Sequence, residues 1–179
     1  NKPNILTSDI PPLKVFSCDN DSLPISIGAK NALIESGMSQ CMMPFGVLLS
    51  ADQNMPKSYL EMAGKILAEI LDQDLDGIMD DSTLFEYVSN WQTGWIAMPT
   101  NHNQWETQQL PLLENELGYD IIIPSWWMGP TTLEPNSHSI AVMVEEITHF
   151  LTQFGYSPRY PEKFGVENWT SIISQEANR

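Results

Sequence analysis

Between Lys57 and Leu71 the apolar residues return every three or four positions. Tyr59, Ala63, Ile66 and Ile70 share one face, flanked by Leu60, Leu67 and Leu71. That period predicts an amphipathic helix with one buried stripe. A second such run starts at Asn136 or Ser137, either of which can cap a helix, and extends to about Phe154. Its apolar side carries Ile140, Met143, Val144, Ile147, Phe150, Leu151 and Phe154; the other side carries His138, Glu145, Glu146 and His149. A shorter helix is expected over residues 29–36, stopped by Gly37. Strands are expected where short apolar runs meet prolines: residues 45–49 behind Pro44, 95–98 before Pro99, and 119–123, rich in β-branched side chains, before Pro124. The polar stretch with His102, Asn103 and Trp105 reads as an exposed loop. Residues 125–130, with Trp126 and Trp127, read as an aromatic turn that either packs under a loop or offers a platform to a sugar or a partner's side chain.

Alternating strands and helices place the chain in the α/β (or α+β) class, as a small sheet of about three or more strands packed with helices. Its 179 residues suit one domain with one core. Residues 1–40, with Pro3, Pro11, Pro12 and Pro24, are expected to form an extended lead-in packed on that domain. Residues 41–179 are expected to form the single α/β domain itself. Hydrophobic residues make up 42% of the chain and six are Trp, which excludes a disordered acidic tail.

The net charge of −15 excludes nucleic acid as a natural partner, because phosphate would be repelled. The charge is also unevenly spread. No Lys or Arg occurs between Lys65 and Arg159, a span that holds fourteen acids. Cations are the obvious counter-charge there.

The densest part of that span is Asp72-Gln73-Asp74-Leu75-Asp76-Gly77-Ile78-Met79-Asp80-Asp81. Carboxylates at alternate positions can converge on a hard cation, and Gly77 permits the sharp turn that wraps the chain around it. The run resembles the EF-hand loop, with its D-x-D-x-D-G pattern. By that resemblance the loop spans 72–83 and binds calcium through Asp72, Asp74 and Asp76, the Ile78 carbonyl and Asp80. Position twelve departs from the family, because Thr83 stands where a bidentate Glu is expected. Asp81 or Glu86 could supply the missing carboxylate, at weaker affinity. After the loop, Thr83 to Glu86 reads as a capping box that opens a short helix toward Asn90.

Cys18 and Cys41 are the only cysteines, and a single disulfide is expected between them. Asn20-Asp21-Ser22 and Asn168-Trp169-Thr170 are glycosylation sequons, so Asn20 and Asn168 are candidate acceptors. A weak calcium loop, a disulfide and sequons together point to a secreted chain, read here as a mature fragment without its signal peptide. No stretch is long and apolar enough to span a membrane.

On the wet side of the second long helix, Glu145 and His149 stand one turn apart with Glu146 beside them. The run Glu145-Glu146-Ile147-Thr148-His149 resembles the His-Glu-x-x-His helix of zincin metallopeptidases. The resemblance implies zinc, with Glu146 as catalytic base and Glu145 and His149 as ligands, and a zincin-like core. Glu145 replaces the family's first His, and the extended pattern after His149 is absent. Tyr160, Glu162 and Glu167 are candidates for a third ligand by position only. Two functions follow as expectations. The first is a secreted calcium-binding domain with a structural, adhesive or partner-binding role toward a protein or glycan. The second is a metal-dependent hydrolase of metallopeptidase type.

Overall fold

The computed structural model describes residues 13–130, 132–165 and 170–177. Among the described residues five strands lie side by side in chain order in one mixed sheet: β1 (Phe16–Ser17), β2 (Gln40–Met42), β3 (Leu49–Ala51), β4 (Gly94–Met98) and β5 (Tyr119–Ile122). The first two pairings are antiparallel and the last two parallel, as the α/β expectation requires for strands joined through helices. The main helices are α1 (Ile27–Ser36), α2 (Lys57–Leu71), α3 (Phe85–Val88), α4 (residues 102–113), α5 (Ser125–Met128) and α6 (Ser137–Phe150).

Alternation along the strands sorts the core into two layers. Met42, Leu49, Ala51, Ile96 and Met98 face α2 and α6, meeting Tyr59, Leu60, Ala63, Leu67, Met143, Ile147 and Phe150. Cys41, Trp95 and Ala97 face the other way, toward Ala29 and Leu33 of α1 and Trp105 and Leu113 of α4. The chain therefore crosses from β3 to β4 through a helix on one face, and from β4 to β5 through a helix on the other. Both crossovers move in the same direction across the sheet, so they have opposite hands, and one is the rare left-handed kind.

The helix over 57–71 forms where its period predicted. Helix α1 begins at Ile27, two residues earlier than expected, because the Ser26 hydroxyl accepts from Ala29 N–H (3.0 Å). It stops at Gly37, whose φ of 82° suits glycine. Three expectations are corrected. Residues 44–46 form a 3₁₀ turn opened by Pro44, with Phe45 at φ 48° and Gly46 at φ 81°. The chain reverses there, so the strand starts at Leu49 and pairs back onto β2. The polar stretch after Asn101 is not a loop but α4, capped by the Asn101 side chain accepting from Gln104 N–H (2.9 Å). It widens into a π turn over Trp105–Gln109 just before Pro111, which has no N–H to continue the ladder. Trp105 is 1% exposed, and buried Gln109 donates to Asp52 Oδ2 (2.8 Å) and Ser36 O (2.9 Å). Finally, α6 ends at Phe150 and passes into a π turn (Leu151–Tyr156), while Val144, placed by its period on the apolar side, is exposed.

The expected lead-in supplies β1, α1 and the start of β2 within its described part. The Cys18–Cys41 disulfide, with its Cα atoms 5.1 Å apart, ties the end of β1 to β2.

Candidate functional site

Helix α2 delivers the chain to the acidic loop. Its last residue, Leu71, accepts a backbone hydrogen bond from Asp80 (2.9 Å), and Asp80 Oδ2 accepts from Gln73 N–H (2.8 Å), so the loop's two ends are closed on each other. Between them Leu75 (φ 58°) and Gly77 (φ 81°) take left-handed conformations. For leucine that conformation is costly, and the loop has to hold it. Asp72, only 5% exposed, accepts from the N–H groups of Asp76 (3.1 Å) and Gly77 (2.8 Å). Met79, buried, pins the return limb into the core.

This wrapping brings carboxylate oxygens of Asp72, Asp74 and Asp80 within 4.8 Å of one another. Asp76 is not in the trio; its Oδ1 accepts from Ile78 N–H (2.8 Å). Asp81 turns away as well, and with Thr83 it forms the junction to the chain's C-terminal part. Asp81 caps the next turn by accepting from Thr83 N–H (3.0 Å) and Thr83 Oγ1 (2.6 Å), so Asp81, not Thr83, is the cap. Tyr160 donates its hydroxyl to Asp81 Oδ2 (2.6 Å), and Arg159 Nε donates to Thr83 Oγ1 (2.8 Å).

The charges leave their mark on the acids. Asp76 N–H pulls the Asp74 carboxyl down, but the neighbouring carboxylates, Asp76 first, outweigh it with slight desolvation and the net shift is upward. Burial pushes Asp81 up, and the hydrogen bonds from Thr83 and Tyr160, with Arg159 nearby, carry it below the usual carboxylate range. The cations of the preceding helix are already paired, Lys57 with Glu61 (3.6 Å) and Lys65 with Glu69 (3.7 Å).

The second cluster lies on α6. Oxygens of Glu145 and Glu146 and a ring nitrogen of His149 lie within 4.8 Å of one another. Glu145 and His149 are exposed and Glu146 is half-buried. Burial raises the Glu146 carboxyl; His149 opposes that and Glu145 adds to it. Tyr160 is committed to Asp81, Glu162 is outside the group, and Glu167 lies outside the described residues. Both clusters could hold a metal ion.

Asn20 sits on an exposed turn, whereas Asn168 lies outside the described residues. No helix among the described residues is long and apolar enough to cross a membrane. No protein-family model, curated protein or solved structure matches the chain.

Of the carboxylates that the motif named, the fold brings those of Asp72, Asp74 and Asp80 together. No motif in the chain points to the junction between Asp81 and Tyr160, which are 79 positions apart.

Proposed function

We propose that the chain is an extracellular calcium-binding α/β domain with a structural, adhesive or partner-binding role, its 72–83 loop holding calcium in the EF-hand manner. The observation that carries this reading is the convergence of Asp72, Asp74 and Asp80 in a loop already turned through Leu75 and Gly77. An all-oxygen donor set of carboxylates suits calcium better than zinc, which favours nitrogen and sulfur. Thr83, engaged with Asp81 and Arg159, leaves position twelve without a carboxylate. Affinity then falls in the weak range of extracellular modules, about 10⁻⁴–10⁻³ M. The Cys18–Cys41 disulfide fits an oxidising compartment. Calorimetric titration of chelator-stripped protein is expected to give one calcium per chain, abolished in Asp72→Ala. No saturable binding at tenfold above that range, about 10 mM, would refute the reading.

A second reading rests on the Glu145, Glu146 and His149 convergence: a zinc-dependent hydrolase in which Glu146 activates water. Zinc analysis of the purified chain, with peptide hydrolysis compared between wild type and Glu146→Gln, separates the two. Zinc-dependent cleavage lost in that variant favours the hydrolase.

A further inference from the structure

Strands β4 and β5 are parallel neighbours whose connections depart to opposite faces: β4 leads to α4 on the Trp95 side, and β5 leads through α5 to α6 on the Ile96 side. Beyond the carboxyl ends of such a pair the two connections part, and open α/β sheets bind ligands there. Here the two exits are fastened together. Ser125 N–H donates to Pro99 O (3.0 Å), and Ser125 Oγ donates to Thr100 O (2.9 Å). The β4 exit presents Asn101, His102 and Asn103, all exposed; the β5 exit presents Trp126, half-buried, and Trp127, 45% exposed. The His102 ring stands edge-on to Trp126 at 5.2 Å. His138 Nε2 lies 3.0 Å from the Trp127 carbonyl oxygen and holds that turn from α6. The exposed Trp127 indole stands on a backbone fixed from two sides, so part of the loss of freedom that binding normally exacts has already been met in folding.

The geometry points to a saccharide-binding site at the carboxyl ends of β4 and β5, in which a sugar ring stacks on the exposed Trp127 indole and its hydroxyls meet polar side chains of the adjoining β4 exit. Chemistry selects the ligand class. The presenting residues include no carboxylate to attract a cation, and no Lys or Arg occurs between Lys65 and Arg159 to attract an anion. Indole faces beside amides and an imidazole suit a neutral ligand with one apolar face and many hydroxyls, which describes an uncharged sugar ring. None of its residues belongs to either acidic cluster, so its test is independent of the ion readings.

Saturation-transfer NMR on the intact chain tests it, using four neutral trisaccharides: β-1,4-linked glucose, β-1,4-linked N-acetylglucosamine, α-1,4-linked glucose and α-1,6-linked mannose. At least one is expected to bind saturably, at least about tenfold more weakly in Trp127→Ala, and also more weakly in His102→Ala, with thermal midpoints unchanged. Both side chains are solvent-facing, so either variant keeps the test readable if the other misfolds. Failure of all four to saturate by about 10 mM overturns the proposal. Undiminished binding in both variants overturns it, as does tighter binding of a sulfated trisaccharide or of tetramethylammonium.

Discussion

Asp72, Asp74 and Asp80 meet only because residues 71–80 double back, with a leucine held at positive φ and Asp72 gripped by two backbone amides. Glu145, Glu146 and His149 meet because positions three and four apart adjoin on any helix, which puts both Glu side chains beside His149. The two clusters look alike as lists of donors. They differ in what it takes to assemble them. The loop spends backbone strain and brings like charges together beside a nearly buried carboxylate, an arrangement that a cation relieves. The α6 face assembles with no strain, mostly in water, so its convergence says much less about a ligand.

The largest expected effect sets a scale for that contrast. Reducing Cys18–Cys41 frees a loop of sequence separation 23 and should remove about 3 kcal/mol of stability in the chain-entropy model. Denaturant unfolding measures it. The bond ties β1 to β2, so any calcium-dependent gain should persist in the reduced protein. A gain that vanished with the bond would show the loop to be coupled to the N-terminal segment.

Next comes the ion itself. Calcium at about a hundredfold over its dissociation constant should stabilise the wild type by about 2.7 kcal/mol. Asp72→Ala should lose that increment, and in chelator it should remain less stable than wild type, because two amides lose their acceptor. An unfolding midpoint indifferent to calcium in the wild type would erase the difference between the clusters.

A smaller effect discriminates within the loop. Asp80→Ala should weaken calcium binding more than Asp76→Ala, since the structure places Asp80 in the trio and turns Asp76 toward Ile78 N–H. Calorimetry of the two variants side by side decides it, and the reverse order would restore the set expected from the motif.

The smallest effect belongs to α6. The Glu146 carboxyl is raised in the folded state, chiefly by burial, so the folded chain holds that proton more tightly than the unfolded one. Its contribution to stability is then full below the ordinary value of 4.5 and lost as pH rises through the raised folded value. Glu146→Gln should remove that slope and shift stability at neutral pH only slightly, because the group is largely solvated. A large calcium- or zinc-dependent change in this variant would give the helix face the significance assigned here to the loop.

Legibility followed the same physical line. Helix α2 was readable to the residue because its stripe is made of aliphatic side chains and its partner is the main core. Gly37, the α6 cap (Asn136 of the two candidates, Asn136 and Ser137) and the disulfide were readable because each acts locally or has a single possible partner. Helix α4 was not: its exposed Gln, Asn, Glu and Thr outnumber the few residues that bury it. What docks it is Trp105 against Trp95 and Gln109 against Asp52, contacts made across the fold. At the loop, the spacing of the acids marked a cluster that could hold a metal ion. Which carboxylates converge depended on backbone turns that composition does not reveal, and the hold of Tyr160 on Asp81 depended on a chain reversal far downstream.

The pairing of Trp95 with Trp105 gives the molecule a built-in optical gauge. Both indoles are about 1% exposed, and their centroids are 6.5 Å apart at a 52° tilt, one on a central strand and one on the helix that docks over it. Rings that close and that oblique couple their electronic transitions, so the near-ultraviolet circular dichroism should carry a signal belonging to the contact and not to either residue alone. Its loss would report α4 lifting from the sheet even while helix content stayed constant.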